Sequence, residues 1–212
     1  SLHFEFFLRH VYLILYTCFG LYIIFKILKK LENEQFSFLY ITFLILIPSV
    51  NGFGLFDDKD IPFGIHLFIS YLMYQYFVKR YRESNSVDNK LLFYTGLSFG
   101  ILLLIRFNGV AFLIFILASI NILNLKNLVK RDYLIQNFTI AGYALLVFLV
   151  GTVQGWSDYP KYLKNLYWQQ FKVSTWNGVT IVNGETFERS GDISYIFKIL
   201  FYKLPVPYLI MI

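Results

Sequence analysis

Long apolar runs, separated by short basic clusters, dominate this chain and leave few folds open to it. A helix that crosses a bilayer needs about 20 consecutive apolar residues. Of the 212 residues, 57% are hydrophobic and only 15% are charged, whereas a soluble domain carries about 25% charged residues. The sequence therefore predicts an all-α fold, a polytopic transmembrane helical bundle.

Several of the apolar spans are shorter than a comfortable bilayer crossing, but flanking aromatic residues and local thinning of the membrane can compensate. We place the spans at about 8–27, 36–50, 61–78, 91–105, 109–123, 134–152 and 195–212. We expect residues 1–212 to form a single transmembrane domain. We also expect an internal fragment of a longer protein, because the sequence begins without Met and ends within an apolar run.

The stretch 91–123 is too long for one crossing, since a single helix of that length would extend about 50 Å. RFNG, residues 106–109, brings a charge, an Asn and a Gly to its middle, which favours a helical hairpin with its tip there. With the hairpin, the basic clusters KILKK, KRYRESNSVDNK and KNLVKRD all face the cytoplasm, as the positive-inside rule requires. The segment DDKD, residues 57–60, then faces outward.

The polar stretch 153–192 is predicted to be a long extracytoplasmic loop with structure of its own. It contains the tryptophans of the chain, Trp156, Trp168 and Trp176. Residues 158–171 have apolar and aromatic side chains at helical spacing, with Asp158 as a cap and Pro160 in the first turn. We predict an interfacial helix there, lying on the outer leaflet. Two Asn-Gly pairs in NGVTIVNGETF then predict a hairpin or a tight loop.

The net charge of +6 does not indicate a nucleic-acid partner, because the basic residues flank apolar runs and membrane topology explains them first. Cys18, the single cysteine, lies within an apolar run and offers neither a disulfide nor a metal pattern. The histidines His3, His10 and His66 are not at metal-ligand spacing. We expect no certain cofactor, and a divalent metal stays open only through the carboxylates of DDKD.

Three carboxylates, Asp57, Asp58 and Asp60, precede the span that begins near residue 61. In one interpretation Asp60 caps that helix, with Pro62 in the first turn, and accepts backbone N–H groups at the positive helix end. Asp57 and Asp58 would then be solvated loop residues. In the other interpretation the carboxylates face an outer cavity and hold an acceptor group, a sugar hydroxyl or a metal ion. A capping Asp keeps a second oxygen free, so the two are compatible.

Two arginines at the predicted outer ends of spans allow a similar pair of interpretations. Arg106 could merely extend its charge toward the interface, or it could bind a phosphate through its forked guanidinium. Arg9, at the outer end of the first span, has the same two options. For His66, which lies inside its span, a hydrogen-bonded contact between helices is the favoured interpretation.

The order of these features resembles the GT-C superfamily of membrane glycosyltransferases, and most of all its protein O-mannosyltransferases and lipid A aminoarabinose transferases. The resemblance covers most of the chain and rests on the order and spacing of weak motifs. These motifs are FFLRHVYLILYTCFGLYIIFKIL, LILIPSV, DIPFGIHLF, LSFGILLLIRFNGVAFLIFIL and WNGVTIVNGETFERSGDISYIFKILFYKLPVPYLI. The positions that correspond to the family pattern are Arg9, Pro48, Asp60, Arg106, Gly184, Tyr195, Lys203 and Pro205.

This resemblance implies an enzyme, a glycosyltransferase that takes a hexosyl or pentosyl group from a polyprenyl-phosphate sugar donor. The acceptor would be a glycan, a lipid or a protein. The enzyme would be an integral protein of the plasma, or inner, membrane, with its active site on the extracytoplasmic side. In the family the main catalytic acid lies in an outer loop that would precede Ser1, so we expect this piece of the protein to lack it.

The resemblance also implies roles for individual residues. Arg9, Arg106 and Lys203 would bind the donor phosphate, and Lys161 could assist them. Asp60 would be an auxiliary catalytic residue that orients the acceptor or a metal ion. The neighbouring carboxylates have no clear family counterpart and could contact the acceptor or a metal; these are Asp57 and Asp58.

A membrane transporter or lipid-handling protein without transfer chemistry is the alternative. Such a protein needs polar or charged groups near the middle of the membrane. The predicted spans keep their charges near their ends, which favours the transferase.

Overall fold

The computed structural model describes residues 2–46, 60–107, 109–124, 127, 130–171, 179–182 and 185–188. Within these ranges the chain forms seven α-helices, one 3-10 helix (Val153–Gly155) and two strands. The helices are α1 (Leu2–Leu31), α2 (Glu34–Leu46), α3 (Asp60–Ser84), α4 (Asn89–Ile105), α5 (Gly109–Ile122), α6 (Arg131–Gly151) and α7 (Tyr159–Phe171).

Three helices are long and apolar enough to cross a membrane, judged by length and composition: Phe7–Leu31 within α1, the whole of α3 and the whole of α6. The helices α2, α4 and α5 are apolar but shorter. Each span predicted before residue 152 coincides with one of these six helices. The span predicted at 195–212, and the last residues of the one at 36–50, lie outside the described residues.

The predicted all-helical architecture is present in the described residues, and two short strands accompany the helices. β1 (Val179–Val182) and β2 (Glu185–Glu188) pair antiparallel, with Val182 opposite Glu185. The two residues between the strands are the Asn-Gly pair from which the sequence predicts a hairpin, because both residues tolerate the positive φ of a two-residue turn. The strands lie within the predicted outer loop, which as a whole stays a prediction.

Glycines on α4 bring α4 and α6 into close contact. A Cβ on Gly96 would lie 2.5 Å from Cβ of Tyr143, and one on Gly100 would lie 2.5 Å from Cβ of Val147. These distances leave no room for a side chain, so the two backbones approach directly, as at small-xxx-small contacts between membrane helices. Because residue numbers increase in the same direction along both helices at these contacts, α4 and α6 run parallel.

The reversal predicted at RFNG is present. The α4 helix ends where α3 begins, so these two helices run antiparallel. The α5 helix runs in the same direction as α3. Phe112, early in α5, contacts the ring of Phe63 near the start of α3, and Asn121, late in α5, donates a hydrogen bond to Tyr74 farther along α3. The α4–α5 pair is therefore a helical hairpin, as the sequence predicts.

The bundle has two chemically different ends. At one, Lys79 Nζ donates to the carbonyl oxygen of Leu31, and Lys130 Nζ donates to Asn85 Oδ1 at 2.9 Å. We call this the basic end; it contains the ends of α1 and α3 and the starts of α4 and α6. The opposite end, with the starts of α1 and α3 and the ends of α4 and α6, is the Arg106 end. The described parts of all three predicted cytoplasmic clusters thus share one end.

Candidate functional site

An arginine and an aspartate that are remote in sequence meet at the Arg106 end. The Nη2 atom of Arg106 contacts Oδ1 of Asp60, and the two side chains are 36% and 55% exposed respectively. Asp60 is the first residue of α3, one residue earlier than predicted for the helix start, so its carboxylate also lies at the positive end of the helix dipole. The pair is open to solvent or to a ligand.

The end of α4 positions the arginine. The backbone of Arg106 is extended, with φ −149° and ψ 123°, and its N–H donates to the carbonyl oxygen of Leu102. Gly109 then begins α5 close to α4, since a Cβ there would lie 3.2 Å from Cγ of Leu102. The glycine therefore permits the tight reversal that holds the guanidinium against the start of α3.

An aromatic ring and an apolar groove continue from the ion pair. Cζ of Arg106 lies 6.0 Å from the ring centroid of Phe63, whose ring packs edge-on against Phe112 at 5.5 Å. Next to these rings, a groove of about 610 Å³ runs between α3 and α5. Its lining is almost wholly apolar and includes Leu67 and Phe115. The positively charged side chain of Arg106 therefore lies next to an apolar groove.

Arg9 lies at the same end of the bundle as the ion pair. It is exposed and is about two helical turns before Tyr16 in α1. The Tyr16 hydroxyl is hydrogen-bonded to Nδ1 of His66 in α3, which fixes the start of α1 beside the start of α3. The same contact confirms the prediction that His66 joins two helices.

The segment after α6 is also tied to the Arg106 end. Trp156 Nε1 and the Tyr159 hydroxyl both donate to the carbonyl oxygen of Leu149, at 3.0 and 2.6 Å. Asp158 Oδ1 accepts from the backbone N–H of Lys161 at 3.1 Å, which confirms the predicted cap of α7. The end of α6 lies beside the end of α4, because a Cβ on Gly151 would contact Leu104. The first part of the tryptophan-bearing segment is therefore at the same end of the bundle as the ion pair.

Three other predicted site residues, Asp57, Asp58 and Lys203, lie outside the described residues. Among those described, no group of three or more His, Cys, Asp or Glu side chains could hold a metal ion. Metal binding through the two aspartates stays a prediction.

A buried polar network near the basic end was not predicted from the sequence. Asn121 of α5 donates to the hydroxyl of Tyr74 in α3 at 2.8 Å and accepts from the hydroxyl of Tyr133 in α6 at 2.6 Å. The Tyr74 hydroxyl in turn donates to Asn137 at 2.7 Å. The sequence feature that could have indicated this network is the presence of polar residues within apolar runs, because such side chains pair with one another inside a helical bundle.

No family model matches this chain, no curated protein has a significantly similar sequence, and no solved structure is significantly similar in fold.

Proposed function

We propose that the chain is part of an inverting glycosyltransferase that uses a polyprenyl-phosphate sugar and acts at the extracytoplasmic face of the membrane. The contact between Arg106 and Asp60, open at one end of the bundle and adjoining an apolar groove, is the observation that carries this proposal. It brings together a guanidinium, a carboxylate and an apolar groove from three helices.

Arg106 is suited to hold the donor phosphate. A guanidinium has five N–H donors in a planar fork, so contact with one oxygen of Asp60 leaves donors for phosphate oxygens. The nearby carboxylate orients the fork, and Phe63 supports one of its faces. Arg9 lies at the same end of the bundle and is the second arginine to which we assign the donor phosphate.

The groove between α3 and α5 is suited to the isoprenoid chain of the donor. Its walls are aromatic and aliphatic, with Phe68 and Ile116 among them, and it opens toward the surface that lipid would cover. A lipid-borne phosphate at Arg106 could place its chain there without burying a polar group.

In the proposed reaction an acceptor hydroxyl attacks C1 of the sugar, and the bond from C1 to the phosphate oxygen breaks. The electron pair of that bond leaves with the polyprenyl phosphate, whose growing charge Arg106 stabilises. The hydroxyl proton passes to a general base, which we expect in a part of the protein outside this chain. Asp60 orients the acceptor.

The test is a transfer assay on the full-length protein, with a panel of polyprenyl-phosphate sugars. Removing a charge that stabilises the transition state costs about 100-fold in turnover, and we expect a loss of that order for Arg106→Ala and a clear loss for Asp60→Asn. Asp132→Asn, a matched change at the basic end, should retain full activity. Wild-type turnover in both site variants would refute the assignment.

A transporter or lipid-handling function would give a different result in the same assay. The protein would then bind or move the donor without releasing free polyprenyl phosphate. Within the described helices, the ion pairs lie at the two ends of the bundle, which is not the arrangement expected of a mid-membrane transport site.

A further inference from the structure

A second groove, whose mouth lies at the basic end, has a basic rim that the proposed function does not use. It has a volume of about 600 Å³ and lies between α1, α3 and α4. From Arg80 at the basic end it reaches His66 along α3, which at 1.5 Å per residue is about 21 Å. That is about two-thirds of the hydrocarbon thickness of a bilayer.

The inner part of this groove is mostly apolar, with His66 and Ser98 as its polar lining residues. Residues from all three helices line it, namely Ile23, Ile27, Ile69, Met73, Leu97 and Ile101. Tyr22 and Tyr94 stand at its margins and are 55% and 56% exposed. The groove can therefore hold a single hydrocarbon chain against apolar side chains, and the chain can enter from the side of the bundle.

The rim at the basic end is strongly positive. Lys26, Lys30, Arg80 and Lys90 line it, together with one carboxylate, Asp88, and Arg80 is paired with Glu83. Asp88 is engaged as the cap of α4, where it accepts from the backbone N–H of Lys90.

Aromatic rings hold two of the rim lysines at the groove. Lys26 Nζ lies 5.3 Å from the ring centroid of Tyr22, and Lys30 Nζ lies 5.6 Å from that of Tyr76. Among the described residues neither ammonium has a carboxylate within ion-pair distance, in contrast to Lys29, which pairs with Glu34 at 2.8 Å. Two uncompensated cations therefore face the mouth of an apolar channel.

We propose that this groove binds an anionic membrane phospholipid, with its phosphate at the Lys26–Lys30 rim and one acyl chain along the channel. We choose an anionic phospholipid because of the positive rim, since basic pockets between membrane helices bind anionic head groups. A zwitterionic lipid or an apolar helix would fill the channel but would leave the rim uncompensated. This site is separate from the donor site at the other end and does not depend on the transferase proposal.

Native mass spectrometry of the full-length protein in detergent, titrated with phosphatidylglycerol or phosphatidylcholine of the same chain length, tests this proposal. We expect one phosphatidylglycerol to be retained in preference to phosphatidylcholine. A basic residue near an anionic lipid surface contributes about 1 kcal/mol, so Lys26→Gln with Lys30→Gln should weaken retention about 30-fold.

Two further variants separate the groove from general surface charge. Lys29→Gln with Arg131→Gln removes the same charge from the same end, outside the groove, and should leave retention unchanged. Leu97→Trp keeps every charge but fills the channel, and should abolish retention.

Equal retention of both lipids by the wild type would overturn the proposal. So would an equal loss in the Lys29/Arg131 control, wild-type retention in Leu97→Trp, or displacement of the lipid by glycerol phosphate at equal concentration.

Discussion

Arg106 contacts Asp60 although the two residues belong to different helices, one at the end of α4 and the other at the start of α3. The contact exists because the chain reverses immediately after the arginine and because α3 and α4 run antiparallel. Neither residue is buried, so a ligand can reach both side chains.

The ion pair should contribute little to stability. Exposed ion pairs are worth about 0–1 kcal/mol, so Asp60→Asn and Arg106→Gln should each lower the free energy of unfolding by less than about 1 kcal/mol. Thermal unfolding in detergent measures this, with Glu83→Gln in the exposed Arg80–Glu83 pair as a matched control. A loss above about 3 kcal/mol, the size seen on breaking a buried pair, would show that the pair is structural instead.

The buried network should be more sensitive than the ion pair. Asn121→Ala removes a donor from Tyr74 and an acceptor from Tyr133, and each hydrogen bond lost costs about 0.5–1.5 kcal/mol. Asn124→Ala is the control, because the amide of Asn124 donates only to a backbone carbonyl within its own segment. Equal unfolding midpoints for the two variants would contradict a network that links three helices.

Replacing glycine by alanine should lower the free energy of unfolding at Gly100, where α4 contacts α6, and raise it at Gly142. Gly100→Ala would place a methyl group 2.8 Å from the carbonyl oxygen of Ala144, and overpacking of this kind costs about 1–3 kcal/mol. Gly142→Ala meets no atom within 4 Å and should stabilise α6 by up to about 1 kcal/mol, because alanine favours the helix over glycine. Unfolding in detergent should therefore rank Gly142→Ala above the wild type and Gly100→Ala below it.

The two ends of the bundle should face opposite sides of a membrane. In a Cys18→Ser background, single cysteines are placed at Ser157, within the tryptophan-bearing segment, and at Ser86, at the basic end. A membrane-impermeant maleimide added to intact cells should label Ser157→Cys, and should label Ser86→Cys only after permeabilisation. Labelling of Ser86→Cys alone in intact cells would reverse the topology, and labelling of both would contradict it.

Much of the helical layout could be predicted from the sequence. Apolar runs and basic clusters are local properties, so they indicate helices and their order without knowledge of packing. The reversal at RFNG was predictable because a charge, an Asn and a Gly interrupt one overlong run. The cap of α7 by Asp158 and the β1–β2 hairpin had equally local signals, and both are present.

The contacts between remote residues could not be predicted in the same way. The sequence left Asp60 as a cap or a ligand and Arg106 as an interfacial charge or a phosphate-binding residue, and it did not predict that they pair. Their contact depends on the relative rotation of α3 and α4, which is set by packing. The network around Asn121 and the rim formed by Lys26, Lys30, Arg80 and Lys90 could not be predicted for the same reason, since each requires three helices to be placed together.

Direct binding of a polyprenyl phosphate to the purified full-length protein tests the central claim, that Arg106 and its surroundings hold a lipid-borne phosphate. A charge-assisted contact is worth about 1.5–3 kcal/mol, so Arg106→Ala should bind at least about 10-fold more weakly than the wild type. Arg82→Ala, which removes the same charge at the basic end, should bind like the wild type. Undiminished binding by Arg106→Ala, or an equal loss in both variants, would contradict the claim.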